Sequence, residues 1–382
     1  MTPRTLRTLV FMLTLLGIGA LAVGCSKHLS STAPRTSELL PTAPLMANPQ
    51  ALSAITATTQ YRVTDLGVLS GGTFSSAVGI SPSGIAVGSG NKSNGNYDGL
   101  VFSGGHITDL GGLGGTHSNA NAINNAGQIV GTSYLASGGW HACYWIGSTV
   151  KDLGKLNGFN SGASAINSSG LIIGTGDILG GYTRGFTAQV GTTGLKQLST
   201  LGGPSCVAIA VNDAGLIVGS SSPKGSDPYT AGPPHACCWT NGVIKDLGTL
   251  GGASGSSTAS AVSSNSKIAG FTTLAVGGQH AATFQNGTIT DLGAVPGFTS
   301  SRATGINASG VVVGLLANGR YGGNSTRGFY SVAGVIDNLN NHIASAPGWS
   351  IIQANAINDA GVIAGVGIGP GALSHAVLLT PQ

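Results

Sequence analysis

Glutamate is almost absent from this chain: Glu38 is the only one in 382 residues, and it precedes the repeats described below. Glycoside hydrolysis usually needs two carboxylates flanking one bond, one of them held protonated. With no glutamate in the repeats and no adjacent acidic pair, no residues suit that job. Charge of both signs is scarce too, at 7% of residues against about 25% in ordinary domains. Disorder of the charged kind is nevertheless excluded, because 41% of the chain is apolar. No run of Lys or Arg and no basic helix follows the N-terminal segment, so nucleic acid is not an expected partner. What is plentiful is glycine, with 65 residues. They show no three-residue period, which excludes collagen. Each would cost about 1 kcal/mol in a helix, which disfavours a helical bundle. An all-β chain with many tight turns remains.

The first residues carry an address. Residues 1–24 hold Arg4 and Arg7, an uncharged run from Thr8 to Gly24, and small residues before Cys25. This is the pattern of a secretory signal peptide, too short and glycine-broken for a membrane-spanning helix. Leu21-Ala22-Val23-Gly24-Cys25 resembles the lipobox of bacterial lipoproteins, with Ala22 where leucine is most frequent. The resemblance implies cleavage before Cys25 and lipidation of it. Ser26 in the following position implies sorting to the outer membrane if the cell has one. Losing Arg4 and Arg7 lowers the formal charge from +4 to +2. Residues 25–60 then read as the lipidated cysteine and a flexible tether rich in Ser, Thr, Ala and Pro.

From Tyr61 to Gln382 the chain repeats itself. TDLGGLGG, NAINNAGQIVG, HACYW and KDLG follow in order, and the order recurs through KDLGKLNG, SAINSSGLIIG and RGF. A turn glycine marks each unit at Gly84, Gly127, Gly170, Gly215, Gly310 and Gly361, with Ser266 in its place once. These make seven units of four short strands. Asn-x-x-Gly, as at Asn124 to Gly127, is the chemistry of a type I turn with a bulge. It joins strand A (near Ala120 to Asn124) to strand B (Gln128 to Ser133). Strand C holds His141 to Trp145 and strand D holds Thr149 to Leu153. A further glycine ends strand B in every unit: Gly88, Gly131, Gly174, Gly219, Gly270, Gly314 and Gly365. The region opens on a lone strand D, Tyr61 to Leu66, and closes on a strand C, His375 to Leu379, that lacks its own D. The expectation is a seven-bladed β-propeller of four-stranded blades, closed by pairing the N-terminal strand with the last blade.

HAC, RGF, HAA and HAV at the start of strand C, together with DLGxLGG and AINxxG, resemble the HAF family of extracellular bacterial repeats. The resemblance covers Tyr61 to Gln382 and implies a secreted or surface location and a propeller, but no reaction. Departures are Ser266 in place of the turn glycine, Gln197 and Asn338 in place of the strand D aspartate, and Asp98 in place of the strand C His or Arg.

The recurring donor position, His141, Arg184, His235, His280, Arg327 and His375, invites a metal reading. Equivalent positions of a ring cannot share one ion, and His and Arg share a planar N–H rather than a metal lone pair. A structural role is expected, tying strand C to a neighbouring carbonyl or aspartate, and no metal. Asp65, Asp109, Asp152, Asp246 and Asp291 repeat likewise and are read as turn or blade contacts. Cys143 with Trp145, and Cys237 with Trp239, stand two apart on one strand face. They match Phe186 with Ala188 in reverse, so the cysteines are read as small core fillers. A bridge between Cys206 and Cys238 stays open, since export permits disulfides. His106 and His117 look isolated and are read as surface turn residues.

Function is then sought in the loops, above all those between strands B and C, which vary most. They supply the candidate ligand-binding residues Tyr97, Tyr134, Trp140, Tyr182, Lys224, Asp227, Tyr229, Arg320 and Tyr321. Tyrosine and tryptophan suit stacking on sugars or contact with peptides. The expectation is a monomeric, exported protein, anchored by its lipid at the outer membrane or cell surface. It would bind a glycan or protein, with no catalytic residues and no cofactor. The competing readings are a secreted lyase or hydrolase with a loop-face active site, and a purely structural envelope protein.

Overall fold

The computed structural model describes residues 59–225, 232–319, 325–344 and 346–382. Segment 1–24, Cys25 and the tether as far as residue 58 lie outside the described residues. So do Asp227, Tyr229, Arg320 and Tyr321 of the two longest loops.

The described chain is built of short antiparallel strands, with single 3-10 turns at Gly252–Ser254 and Leu339–His342. The set spanning 114–154 shows the unit: strand A is Gly114–Ile123, B is Ile129–Leu135, C is Trp140–Ile146 and D is Thr149–Gly154. Its A-to-B turn forms because Asn124 serves it twice. The Asn124 carbonyl accepts from Gly127 N at 3.1 Å, and Oδ1 accepts from Ala126 N and Gln128 N at 3.0 Å each. Gly127 closes the turn at φ 72°, a left-handed conformation that costs glycine nothing. In the 257–293 set Ser266 occupies this place at φ 65°, and its hydroxyl is used: Asn212 Nδ2 donates to Ser266 Oγ at 3.0 Å.

Both faces of each set are covered, which is why charge is so scarce. Ile129, Cys143 and Trp145 pack with Val87 of the preceding set, while Val130, Ala142 and Tyr144 pack with Ala163, Ile172 and Phe186 of the next. Cys237 and Trp239 likewise share one cluster and Ala282 and Phe284 another, so large and small residues fill one layer together. The strand B glycine has a steric cause. Strand A carries a bulge between Ala120 and Ala122, and a Cβ on Gly131 would overlap the Asn119 carbonyl oxygen just before it.

Six sheets result. Four are the sets 161–197, 202–248, 257–293 and 300–338. A fifth joins 350–381 to Tyr61–Asp65. The sixth has eight strands, because the sets 75–109 and 114–154 are linked by one parallel bridge between Tyr97 and His117. The sequence predicts seven separate four-stranded sheets. The count differs because strand A of the 114–154 set starts at Gly114, several residues earlier than expected, which carries His117 alongside Tyr97.

The first and last described strands meet in the fifth sheet. Tyr61 pairs with Pro381 and the register runs to Asp65 with Val377, while Gln382 N donates to Gln60 O at 2.8 Å. Residue 60 therefore lies at the end of the sheets that carries the A-to-B and C-to-D turns. The B-to-C loops occupy the opposite end.

Two polar relays pass between sets. At the turn end, Asn124 Nδ2 donates to Asn167 O, Asn167 to Asn212 O, Asn212 to Ser263 O and Asn307 to Asn358 O, at 3.0–3.3 Å. Asn358 Nδ2 then donates to Ser81 O of the first set at 3.2 Å. At the loop end a serine opening strand A ties down the preceding set: Ala142 N donates to Ser161 Oγ at 2.8 Å, and Ser161 Oγ donates to Gly154 O at 2.5 Å. Ser75 does the same between the ends of the chain, accepting from Ala376 N and donating to Gly67 O.

Cys206 takes the serine's place once. Gly185 N donates to Cys206 Sγ at 3.3 Å, and Sγ lies 3.9 Å from Leu198 O. The thiol is a weak donor and acceptor where five other sets have a hydroxyl. Cys206→Ser is expected to leave stability within about 1 kcal/mol of the parent or to raise it, as measured by urea unfolding. A loss of several kcal/mol would contradict this assignment.

Candidate functional site

The repeated donor position forms pairs within one sheet. His141 Nδ1 lies 2.9 Å from Asp152, His235 2.9 Å from Asp246, His280 3.0 Å from Asp291, and His375 3.0 Å from Asp65. The same aspartates accept from the glycine two residues on, as Gly154 N does to Asp152 Oδ1 at 2.7 Å. Each pair thus ties strand C to the turn that follows strand D. The Arg sets differ in a correlated way: opposite Phe186 and Phe329 stand Gln197 and Asn338, at the register where Asp152 faces Cys143. Arg327 Nη1 donates to Thr326 O at 2.7 Å. In the first set Asp98 holds the position and Lys92 bridges it to Asp109. The Asp109 and Asp98 carboxylates hold the Lys92 ammonium above its ordinary range. Among the described residues, no three His, Cys, Asp or Glu side chains group closely enough to hold a metal ion.

The four described cysteines are free and buried. Burial pushes every one of their thiols up, away from the thiolate that nucleophilic or metal chemistry needs. The Cys206–Cys238 bridge left open by the sequence is not formed. Cys206 packs with Cys237 and Ile173 on one face of its sheet, and Cys238 packs with Ala259 and Phe284 on the other.

Three of the sequence-predicted loop aromatics converge, and two unforeseen rings join them. Phe74, Tyr97, His117, Tyr134 and Trp140 form a continuous row at the loop end of sets 75–109 and 114–154. Successive centroids lie 6.1, 5.8, 5.3 and 5.5 Å apart. Tyr97 and His117 are near parallel at 12°, and their backbones form the bridge that joins the two sets. His117, expected as an isolated turn residue, is therefore the centre of the row. Thr116 Oγ1 holds its Nδ1 at 2.7 Å. Asn91 Oδ1 fixes the other end, accepting from Thr73 N and Phe74 N at 2.9 and 2.8 Å. Tyr97 is 36% exposed, whereas Trp140, expected as an exposed aromatic, is only 5% exposed and backs Tyr134.

Beyond Trp140 the row meets a polar pair. Trp140 N donates to Asn160 Oδ1 at 3.2 Å, and Asn160 Nδ2 donates to Asp177 Oδ2 at 3.0 Å. Burial pushes the Asp177 carboxyl above the usual carboxylate range, partly offset by hydrogen bonds from Asn160. Phe159 (80% exposed), Leu179 (70%) and Tyr182 (42%), close to this pair in sequence, are exposed. Lys224 is exposed on the 202–248 set, and nothing in the structure draws it to the row.

No protein-family model and no curated protein sequence matches the chain. Among solved structures it is similar to the β-propeller domain of the Trilobed protease from Pyrococcus furiosus. That likeness has 10% identity and a TM-score of 0.55, and covers 81% of this chain and 97% of that one. It is also similar to an extracellular domain from B. thetaiotaomicron, at 10% identity and a TM-score of 0.50. There 84% of this chain matches 40% of the other. The fold is that of a β-propeller. The Pyrococcus domain is described as having an open velcro topology, whereas here the first strand is hydrogen-bonded to the last.

Proposed function

We propose that the chain is a lipid-anchored cell-envelope or surface propeller of seven blades that binds a glycan or protein and has no catalysis of its own. Counting the eight-stranded sheet as two blades has two supports. Its halves touch through one bridge, and a bridge of the same kind, Phe74 with Ser374, lies between the first and last sets. Closure is supported by the pairing of Tyr61–Asp65 with the last strand, and by Asn358 and Ser75, which carry both relays across the chain ends. The HAF-type repeats and the lipobox-like Leu21 to Cys25 support export and anchoring.

The observation that carries the binding role is the aromatic row. Its aromatics are confined to two adjacent sets: Phe74 and His117 share one repeat position and Tyr97 and Trp140 another, and no other set has an aromatic at either, so the architecture does not require them, and the row lies on the face of the variable loops. Residue 60 lies at the opposite end of the sheets from the row. The repeated His and Asp residues are, by contrast, paired within sheets.

Two measurements test this reading. Cells expressing the full chain should incorporate labelled palmitate, and Cys25→Ala should move the protein from the membrane to the soluble fraction. Detergent-extracted protein should be retained on immobilised envelope material, and the Tyr97→Ala, Tyr134→Ala double variant should lose at least tenfold in retention with its unfolding midpoint unchanged. Equal retention by the double variant would remove the basis for the binding role.

A further inference from the structure

We infer that the row from Phe74 to Trp140, with Asp177 at its end, binds an unbranched glycan of neutral sugars laid along the rings. This rests on the binding role proposed above and names its ligand. A chain of pyranose rings alternates apolar C–H faces with equatorial hydroxyls, so it needs aromatic surface and hydrogen-bond acceptors in one line. The row supplies the surface through Phe74, Tyr97, His117 and Tyr134, whose successive rings lie 5.3–6.1 Å apart, a step close to one sugar in an extended chain, with the buried Trp140 backing Tyr134. It is also preorganised. The Tyr97–His117 bridge, the Thr116 hydroxyl on His117 and the Asn91 amide at Phe74 fix the rings before any ligand arrives, which lowers the entropy lost on binding. At the far end Asp177 is held by Asn160, and a carboxylate there accepts from sugar hydroxyls.

The other ligands that favour aromatic rows fit less well. A proline-rich peptide offers carbonyl acceptors and no N–H at its prolines, so a carboxylate has nothing to accept from it. Single-stranded nucleic acid needs cations along its phosphates. The cation nearest the row in sequence, Lys92, is already bridged to Asp98 and Asp109. A charged glycan would need the same cations.

The test uses the detergent-extracted full chain against immobilised linear hexasaccharides of glucose, mannose, xylose and N-acetylglucosamine. Proline-rich peptides and single-stranded DNA serve as comparison ligands. At least one hexasaccharide should bind. Its affinity should rise at least tenfold from disaccharide to tetrasaccharide, because a longer chain covers more rings. Tyr97→Ala should weaken it at least tenfold and Tyr97→Phe by less than threefold. Asp177→Asn should weaken it several-fold, with the unfolding midpoint unchanged in each variant. If none of the hexasaccharides binds while the peptides or DNA bind in a Tyr97-dependent way, the glycan assignment is wrong and the binding role stands. If binding to every ligand is absent or indifferent to Tyr97, both are wrong.

Discussion

Removing Tyr61–Asp65 from the full chain is expected to abolish cooperative folding. Tyr61 is only 1% exposed, and its ring meets Tyr330 edge-on at 5.7 Å between centroids. It belongs to a cluster with Val313, Ile351 and Leu379, drawn from the 300–338 and 350–381 sets, and with Leu339 of the 3-10 turn between them. Truncating such a ring alone costs about 3–5 kcal/mol. Deletion also strips the ladder from Tyr61–Pro381 to Asp65–Val377 and leaves His375 without Asp65. An unpaired, apolar edge strand is then exposed, which invites aggregation. Against a total stability of about 5–15 kcal/mol, the sum is decisive. The milder Tyr61→Ala should remain folded in the cold but lose about 3–5 kcal/mol in urea unfolding. If the deletion left the unfolding midpoint where it was, Tyr61–Asp65 would be a dispensable tail.

The second large effect is expected at a glycine that no turn requires. Gly270 faces Ala259 and Ala282 in the middle of its sheet, and its φ is not in the left-handed region. A Cβ there would overlap the Thr258 carbonyl oxygen and come within 2.9 Å of Ala259 Cα. Neither can yield, since strand A is bulged between Ala259 and Ala261 and packed on both faces. Gly270→Ala should therefore cost about 3 kcal/mol or more, the upper range for overpacking. The contrast is Gly287, at φ 78° with open space where its Cβ would be. Asparagine tolerates that conformation, so Gly287→Asn should cost about 1 kcal/mol or less. Equal losses at the two sites would contradict the steric account. Thermal and urea unfolding of the two variants beside the parent decide it.

These effects also explain what was legible in the sequence. Turn asparagines, turn glycines and strand order could be read because each unit spells them again. Strand A could not be bounded: beyond the bulge at Ala120 and Ala122, a second register shift between Gly114 and Ser118 lets pairing resume as far back as Gly114. The early start carries His117 to Tyr97 and merges two sets into one sheet. The His–Asp pairs were only half seen, although the signal was present. Sets with His at the donor position carry Asp in strand D, and sets with Arg carry Gln197 or Asn338. Cys206 could have been aligned with the serine that opens strand A elsewhere, which would have explained it without a disulfide. The aromatic row had a partial signal: Phe74 and His117 share the position before the strand A serine, and Tyr97 and Trp140 the position before the strand C donor, although only the packing of one set on the next brings the rings together. Tyr97, Tyr134 and Trp140 are legible as aromatics bordering the variable B-to-C loops, whereas Phe74 and His117 lie just before the strand A serine, where His117 reads as an isolated turn residue.

The central claim is that one strand from the start of the chain completes the last blade and makes a single ring that holds the row in place. Amide hydrogen exchange on the full chain tests it most directly. The account predicts that the amides of Arg62 and Thr64, which point at the last strand, exchange as slowly as those of Leu378 and Thr380 opposite them, and that both pairs lose protection together in urea. Fast exchange at Arg62 and Thr64, with slow exchange elsewhere, would contradict it.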